Sequence, residues 1–182
     1  LAGIVPSGDL LGPPIVRAPP ASVARPAPEE TSMTDRSDFT DEQWHAITDA
    51  PVAIMLAVAM VGDHGPISMV KESAAGAKVM AAPPHAGPAD ALIAAIVPDA
   101  KDKQARHDAK EHKGATPDEI VAGLVGDVEA ASKALDHIPA AEAAQVRQWF
   151  LDIATAVAGA SKGVKPSEQE LLDRLASLLG LS

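Results

Sequence analysis

The sequence predicts an all-α domain, a compact bundle of six to eight helices behind a disordered Pro-rich N-terminal segment. No stretch alternates apolar and polar residues as a half-buried strand does. Apolar residues recur instead at helical spacing, most clearly Leu171, Leu172, Leu175, Leu178 and Leu179. Two helix starts are written out in full, Thr40 with Gln43 and Thr116 with Glu119, each a hydroxyl followed three residues later by a side chain that can return the hydrogen bond. With 182 residues, 47 % of them hydrophobic, the chain has enough apolar material for a core and is not disordered throughout.

Residues 1–32 are rich in Pro, lack aromatic residues and show no sustained apolar period, so they cannot build a core. The disordered segment is drawn as 1–37 and a single helical domain as 38–182. Pro6, Asp9, Pro13 and Pro14 interrupt every stretch that could serve as a secretory signal, which points to a cytoplasmic protein. Met33 is read as the native start, with a genuine disordered tail as the alternative.

Phe39 facing Trp44 staples the helix that Thr40 caps. Pro51, lacking an N–H, should break or kink that helix and leave two pieces. The second piece, 51–61, is apolar all round yet about half the roughly 20 residues a membrane span requires, so it is read as a buried core helix. A turn at 62–66 leads to a helix over 66–82, ended by Pro83 and Pro84. A short helix over 88–97 should close at Pro98. Beyond it, 99–115 is a charged stretch joining two halves, a solvated helix or a linker, with Asp99/Lys103 and Asp102/Arg106 at pairing distance on one helix face. The Thr116 helix runs to about His137, the next begins at Pro139 and carries Val146, Trp149, Phe150, Ile153 and Val157, and the last runs from Pro166 to Gly180. With aromatic residues at only 2 %, Trp44, Trp149 and Phe150 are the few large packing anchors in a core of Ala, Val and Leu.

Composition narrows the chemistry. Lys and Arg number 15 against 25 Asp and Glu, and the net charge of −10 disfavours nucleic acid or an anionic membrane as the main partner. Without cysteine there are no disulfides, thiolate zinc sites, iron–sulfur clusters or cysteine nucleophile. Phosphate-cradling and nucleophile-elbow motifs do not occur, so no catalytic residues and no organic cofactor are assigned. His107 and His112, five residues apart, would point about 140° from each other on a helix and cannot share a metal through adjacent turns. Glu42 and His45 have the Glu-x-x-His spacing of carboxylate di-iron bundles, but that chemistry needs the motif twice and there is no second copy. Asp136 and His137 sit at a helix end, where an imidazolium suits the dipole.

The turn from Val61 to Ser68 is the most chemically suggestive place, combining Asp63, His64 and Gly65 between two helices. Two readings stand: oxygen and nitrogen donors there hold a divalent cation, with Glu72 reaching back from the next helix, or Asp63 caps the turn and His64 is exposed.

Val164-Lys165-Pro166-Ser167-Glu168, followed by Leu172, Leu175 and Leu179-Gly180-Leu181, resembles the ending of TerB-like (tellurite-resistance-type) helical domains and a related group of uncharacterised bacterial helical proteins. His64-Gly65-Pro66-Ile67-Ser68 is similar to the turn that this family repeats between helices, Asp-Gly-x-(Ile/Val)-Ser-x-x-Glu. The likeness covers residues 39–82 and 139–181. It implies a bacterial, stress-associated protein whose acidic turns bind divalent metal. This chain departs from the pattern at the ligands: His64 stands at the Asp position with Asp63 one place early, and Lys71 at the Glu position with Glu72 one place late. In the second turn Ser161 and Lys165 replace Asp and Ser, leaving only Glu168, so the resemblance implies one metal site at most, at Asp63, His64 and Glu72.

The expected function is therefore a non-enzymatic interaction or stress-response module with a protein partner and at most a weak metal site. Two alternatives belong to other classes: an enzyme using His45 or His64 as general base between the helical halves, and a structural module that homo-oligomerises through its Ala, Val and Leu faces.

Overall fold

The computed structural model describes residues 33–62, 66–83, 85–106, 115–160 and 163–182, with the side chains of 66–69 and 104–106 also left aside. The Pro-rich segment 1–32, and with it the expectation of disorder there, lies outside the described residues. The fold is all-α, with six helices and no strand among the described residues. Thr40 starts the first as expected: its hydroxyl accepts from Gln43 N, and the Gln43 side chain accepts from Thr40 N. The helix that follows, α1 (Asp41–Val61), is continuous through Pro51. Here the proline rule gives the wrong result. Losing one backbone hydrogen bond and crowding the preceding turn costs about 3 kcal/mol, but α1 is the central helix of the bundle, touching each of the other five. Ala50, Pro51, Val52, Ala53 and Ile54 are all buried, and that packing outweighs the local penalty. Its all-round apolar sequence follows from the same position. At 21 residues it is also long and apolar enough to cross a membrane by length and composition, but most of it is buried inside the bundle.

Helix α2 (Pro66–Ala81) packs chiefly on α5 (Ala140–Ala158), and α4 (Pro117–Ala134) packs chiefly on α1. Thr116 and Glu119 form the expected capping box at the start of α4, which ends in a 3-10 turn over Leu135–His137. Helix α6 (Pro166–Leu178) closes with Gly180 at φ 68°, where Gly180 N donates to Ser177 O and Leu181 N to Ala176 O, the paired bonds that satisfy a helix's last carbonyls. Trp44, Trp149 and Phe150 are buried at 7 %, 2 % and 0 % exposure, as the sequence requires of its anchors.

Helix α3 (Asp90–Arg106) is the second correction, because it runs through Pro98 instead of closing there. Pro98 and Ala94, whose carbonyl loses its partner, are both on the exposed side, where water can bond that oxygen. The far half of α3 is then held onto α1: Trp44 Nε1 donates to Asp99 Oδ2 at 2.8 Å, Lys103 Nζ donates to His45 O at 3.2 Å and also pairs with Asp49, and Ala100 is fully buried. Asp99 and Lys103 are thus tethers to α1. The charged stretch is helix up to Arg106, and 107–114, with His107 and His112, lies outside the described residues.

The folded unit extends back beyond the boundary drawn at residue 38. Asp35 caps a 3-10 turn at Arg36–Asp38, and Thr34 is buried with its N–H donating to Glu142 Oε2 at 3.2 Å. Arg36 lies 5.2 Å over the Trp44 ring, and Phe39 meets the same ring at 5.9 Å, so the staple carries a cation on its outer side.

Candidate functional site

Three glutamates are almost completely out of water: Glu72 and Glu168 at 1 % exposure and Glu142 at 2 %. Two of these follow from helix geometry. Glu142 and Glu168 occupy the third positions of α5 and α6, beside unpaired amides and the positive end of the helix dipole. Glu168 accepts from Lys165 N at 2.8 Å, and Glu142 anchors Thr34. Glu72 is different, since it lies in the second turn of α2. Its neighbour Lys71 is exposed, so of the two adjacent charged side chains it is the carboxylate that faces inward. Asp63 and His64, the other two expected ligands, lie outside the described residues, as does Ser161 of the second turn. Among the described residues no three His, Asp or Glu side chains are grouped to hold a metal ion.

Glu42 and His45 are both exposed at the start of α1, and His45 Nδ1 faces Lys103 Nζ at 3.4 Å. An ammonium group beside the imidazole is the wrong neighbour for a cation site, and His45 lines none of the grooves described below. His137 is exposed on its 3-10 turn, while Asp136 pairs with Arg147.

A second place was not legible in the sequence. The connection from α2 to α3 is tied to α5 by Gln145, whose side chain accepts from Ala89 N at 2.6 Å and donates to Asp90 Oδ1 at 2.7 Å and His85 O at 3.3 Å. Gly87 lies so close that an added Cβ would stand 2.6 Å from Gln145 Oε1. This arrangement leaves an open groove of about 390 Å³, with Pro83, Ile93, Ala94 and Val97 as apolar lining and His85 and Asp90 as polar lining. A recess of about 110 Å³ shares Pro83, His85 and Ile93 with the groove and adds Trp149, Gln148 and Asp152. Asp152 Oδ1 accepts from Gln148 Nε2 at 2.9 Å. Asp152 Oδ2 is shielded from water and accepts no hydrogen bond, with His85 Nε2 3.6 Å away. His85 and Asp152 are 67 residues apart, so no local spacing could have joined them.

A further cleft of about 370 Å³ is bordered by Glu129, Lys133, Asp136, Arg147 and the end of α6. Arg147 donates to Ser132 O at 2.9 Å and pairs with Asp136, while Ser132 Oγ donates to Leu178 O at 3.2 Å. These bonds join α4, α5 and the C-terminal turn.

The acids held below their usual range are exposed and structural. The backbone N–H and then the hydroxyl of Thr116 lower the pKa of Glu119, the hydrogen bond and charge of Lys133 lower that of Glu129, and the hydroxyl and N–H of Ser37 lower that of Asp35. For Glu119, a folded-state pKa below its ordinary 4.5 means stability that is present above that value and lost as pH falls through the folded pKa. Glu119→Gln is expected to lower the urea midpoint at neutral pH, with the two proteins converging in acid. A gap that stayed constant with pH would mean that the Glu119 charge is not coupled to folding.

The fold and these features define a helical bundle domain with a buried carboxylate in the second turn of α2 and a separate groove between the α2–α3 connection and α3. No family model, no curated protein and no solved structure matches the chain.

Proposed function

We propose that this is a non-catalytic helical interaction module of the TerB-like kind, cytoplasmic and stress-associated, that docks a protein partner and holds a single divalent cation at its first inter-helix turn. The reading is carried by the end of the bundle where α1 passes into α2. Ser167 Oγ donates to Val61 O at 3.2 Å, which brings the start of α6 to the same end. Met60, Val70 and Val164, three of the four large apolar side chains exposed among the described residues, belong to this end. Exposed apolar side chains grouped around a polar turn are what a protein-binding surface requires. Glu72 is turned inward on the same stretch while Lys71 faces solvent, which supports a ligand role for Glu72 and the one-residue adjustment of the family pattern. Carboxylates with one imidazole make a donor set suited to Mn²⁺ or Zn²⁺ as well as to harder cations. Asp63, His64 and Glu72 would hold the ion, which would cross-link α1 to α2 through the turn.

Thermal unfolding of the full chain, stripped with chelator and then titrated with Ca²⁺, Mg²⁺, Mn²⁺ or Zn²⁺, tests this. At one hundred times its dissociation constant an ion bound only by the folded state adds about 2.7 kcal/mol. The expected result is a saturable rise for one of the four ions that is absent in Asp63→Ala/His64→Ala. No rise with any ion would remove the cation from the proposal, and a rise retained in the double variant would move it elsewhere.

A further inference from the structure

We propose that the groove between the α2–α3 connection and α3, with the recess that continues it to α5, docks a basic, apolar peptide segment of a partner protein, with an Arg or Lys side chain of that segment reaching Asp152. This goes beyond the first-turn reading and does not rest on it. Helix α2 has 16 residues, about 24 Å of helix, and the groove adjoins its C-terminal end whereas the first turn adjoins its N-terminal end.

Three observations define the occupant. Asp152 lines the recess, and its Oδ2, covered by its surroundings, accepts no hydrogen bond and has His85 Nε2 3.6 Å away as its one facing charge partner among the described residues. An ionised acceptor in that condition is costly, and a donor brought to it, best a charged one, recovers much of what desolvation lost. The approach to that oxygen is lined by Pro83, Ile93, Ala94 and Val97, so the donor must be carried on an apolar body. Charge selects the sign: among the described residues no Lys or Arg lines the groove or the recess, Asp90 stands at the mouth, and the whole chain carries −10. A long basic side chain has this form, an aliphatic stem ending in charged donors. The imidazole of His85, 65 % exposed and 3.6 Å from the same oxygen, stands at the recess where an incoming side chain would pass, and would have to swing aside.

The test uses the full chain and two synthetic peptide amides, Leu-Arg-Leu-Leu-Arg-Leu and its counterpart with Glu in place of Arg, with binding followed by backbone amide shifts. The basic peptide is expected to shift Ala86, Asp90, Val97 and Asp152 saturably, and the acidic peptide to leave them unmoved. Asp152→Asn keeps the shape and the bond from Gln148 but removes the charge. It should bind about tenfold or more weakly, since hydrogen bonds to charged groups are roughly twice as strong as neutral ones, while unfolding near the wild-type temperature. His85→Ala, which removes the imidazole that an incoming side chain has to displace, should bind more tightly than the wild type. Equal binding of the two peptides, unchanged affinity in Asp152→Asn, shifts confined to other surfaces, or binding no tighter in His85→Ala would each overturn the proposal.

Discussion

Trp149→Ala is expected to cost about 3–5 kcal/mol of folding stability, the range for truncating a fully buried aromatic side chain. Trp149 is 2 % exposed, its ring lies 5.4 Å from that of Phe150, and its Nε1 donates to Val79 O at 3.3 Å, joining α5 to the end of α2. Truncation would remove the largest fully buried side chain of the core and leave the Val79 carbonyl without this donor. The recess beside Asp152 lies against the same ring, so the new cavity would open toward the groove instead of closing by collapse. For a folded unit of this size the loss corresponds to a fall in melting temperature on the order of 10 °C. Scanning calorimetry decides it. An unchanged transition would mean that Trp149 is not the anchor that its burial indicates.

What the sequence made legible is what local chemistry dictates. Thr40 with Gln43 and Thr116 with Glu119 satisfy each other within one turn, so their capping boxes could be read directly and are present. The leucine stripe of α6 likewise needs only its own period, and Leu171, Leu172 and Leu175 are buried. Two of the departures are at prolines. Pro51 and Pro98 carry a local rule that tertiary structure overrides by opposite routes, burial in the centre of the bundle for Pro51 and solvent exposure with tethers downstream for Pro98. Asp99 and Lys103 could be paired with each other on paper because i, i+4 spacing is visible. Their real partners, Trp44 and Asp49, lie more than 50 residues away.

The same division holds for the sites. Glu72 could be singled out because it follows a turn rich in polar residues, and it is buried in α2. Nothing in the sequence joins His85 to Asp152, since an imidazole after two prolines and an acid within a helix are unrelated until the fold sets them 3.6 Å apart. The one clue available in advance was Asp152 itself, an acid beside the apolar stripe of Trp149, Phe150 and Ile153. A carboxylate at the edge of such a stripe is half committed to the core and invites the question of what satisfies it.

Gly76 lies where α2 closely approaches α5 and α1, and Gly76→Leu is expected to destabilise by about 1–3 kcal/mol or more, as overpacking does. Glycine inside a helix costs roughly 1 kcal/mol relative to alanine, so its place in the middle of α2 needs a reason. A Cβ built there would stand 2.7 Å from Val157 Cγ2 and 3.0 Å from Met55 Cγ, which means that α2 meets α5 and α1 through the bare backbone at this point. Met55 can yield because its chain is unbranched and flexible, but Val157 is β-branched, 1 % exposed and confined to one rotamer in its helix. Gly76→Ala therefore sets a gain in helix propensity against a contact that Val157 cannot easily relieve, and the two nearly cancel. Leucine adds volume with no further propensity to offset it, so urea midpoints should fall in the order glycine or alanine, then leucine, with the loss greater if Val157 cannot move. If Gly76→Leu instead matched the wild type, α2 would have to be free to move away from α5, and the bond from Trp149 to Val79 would then be the first contact to fail.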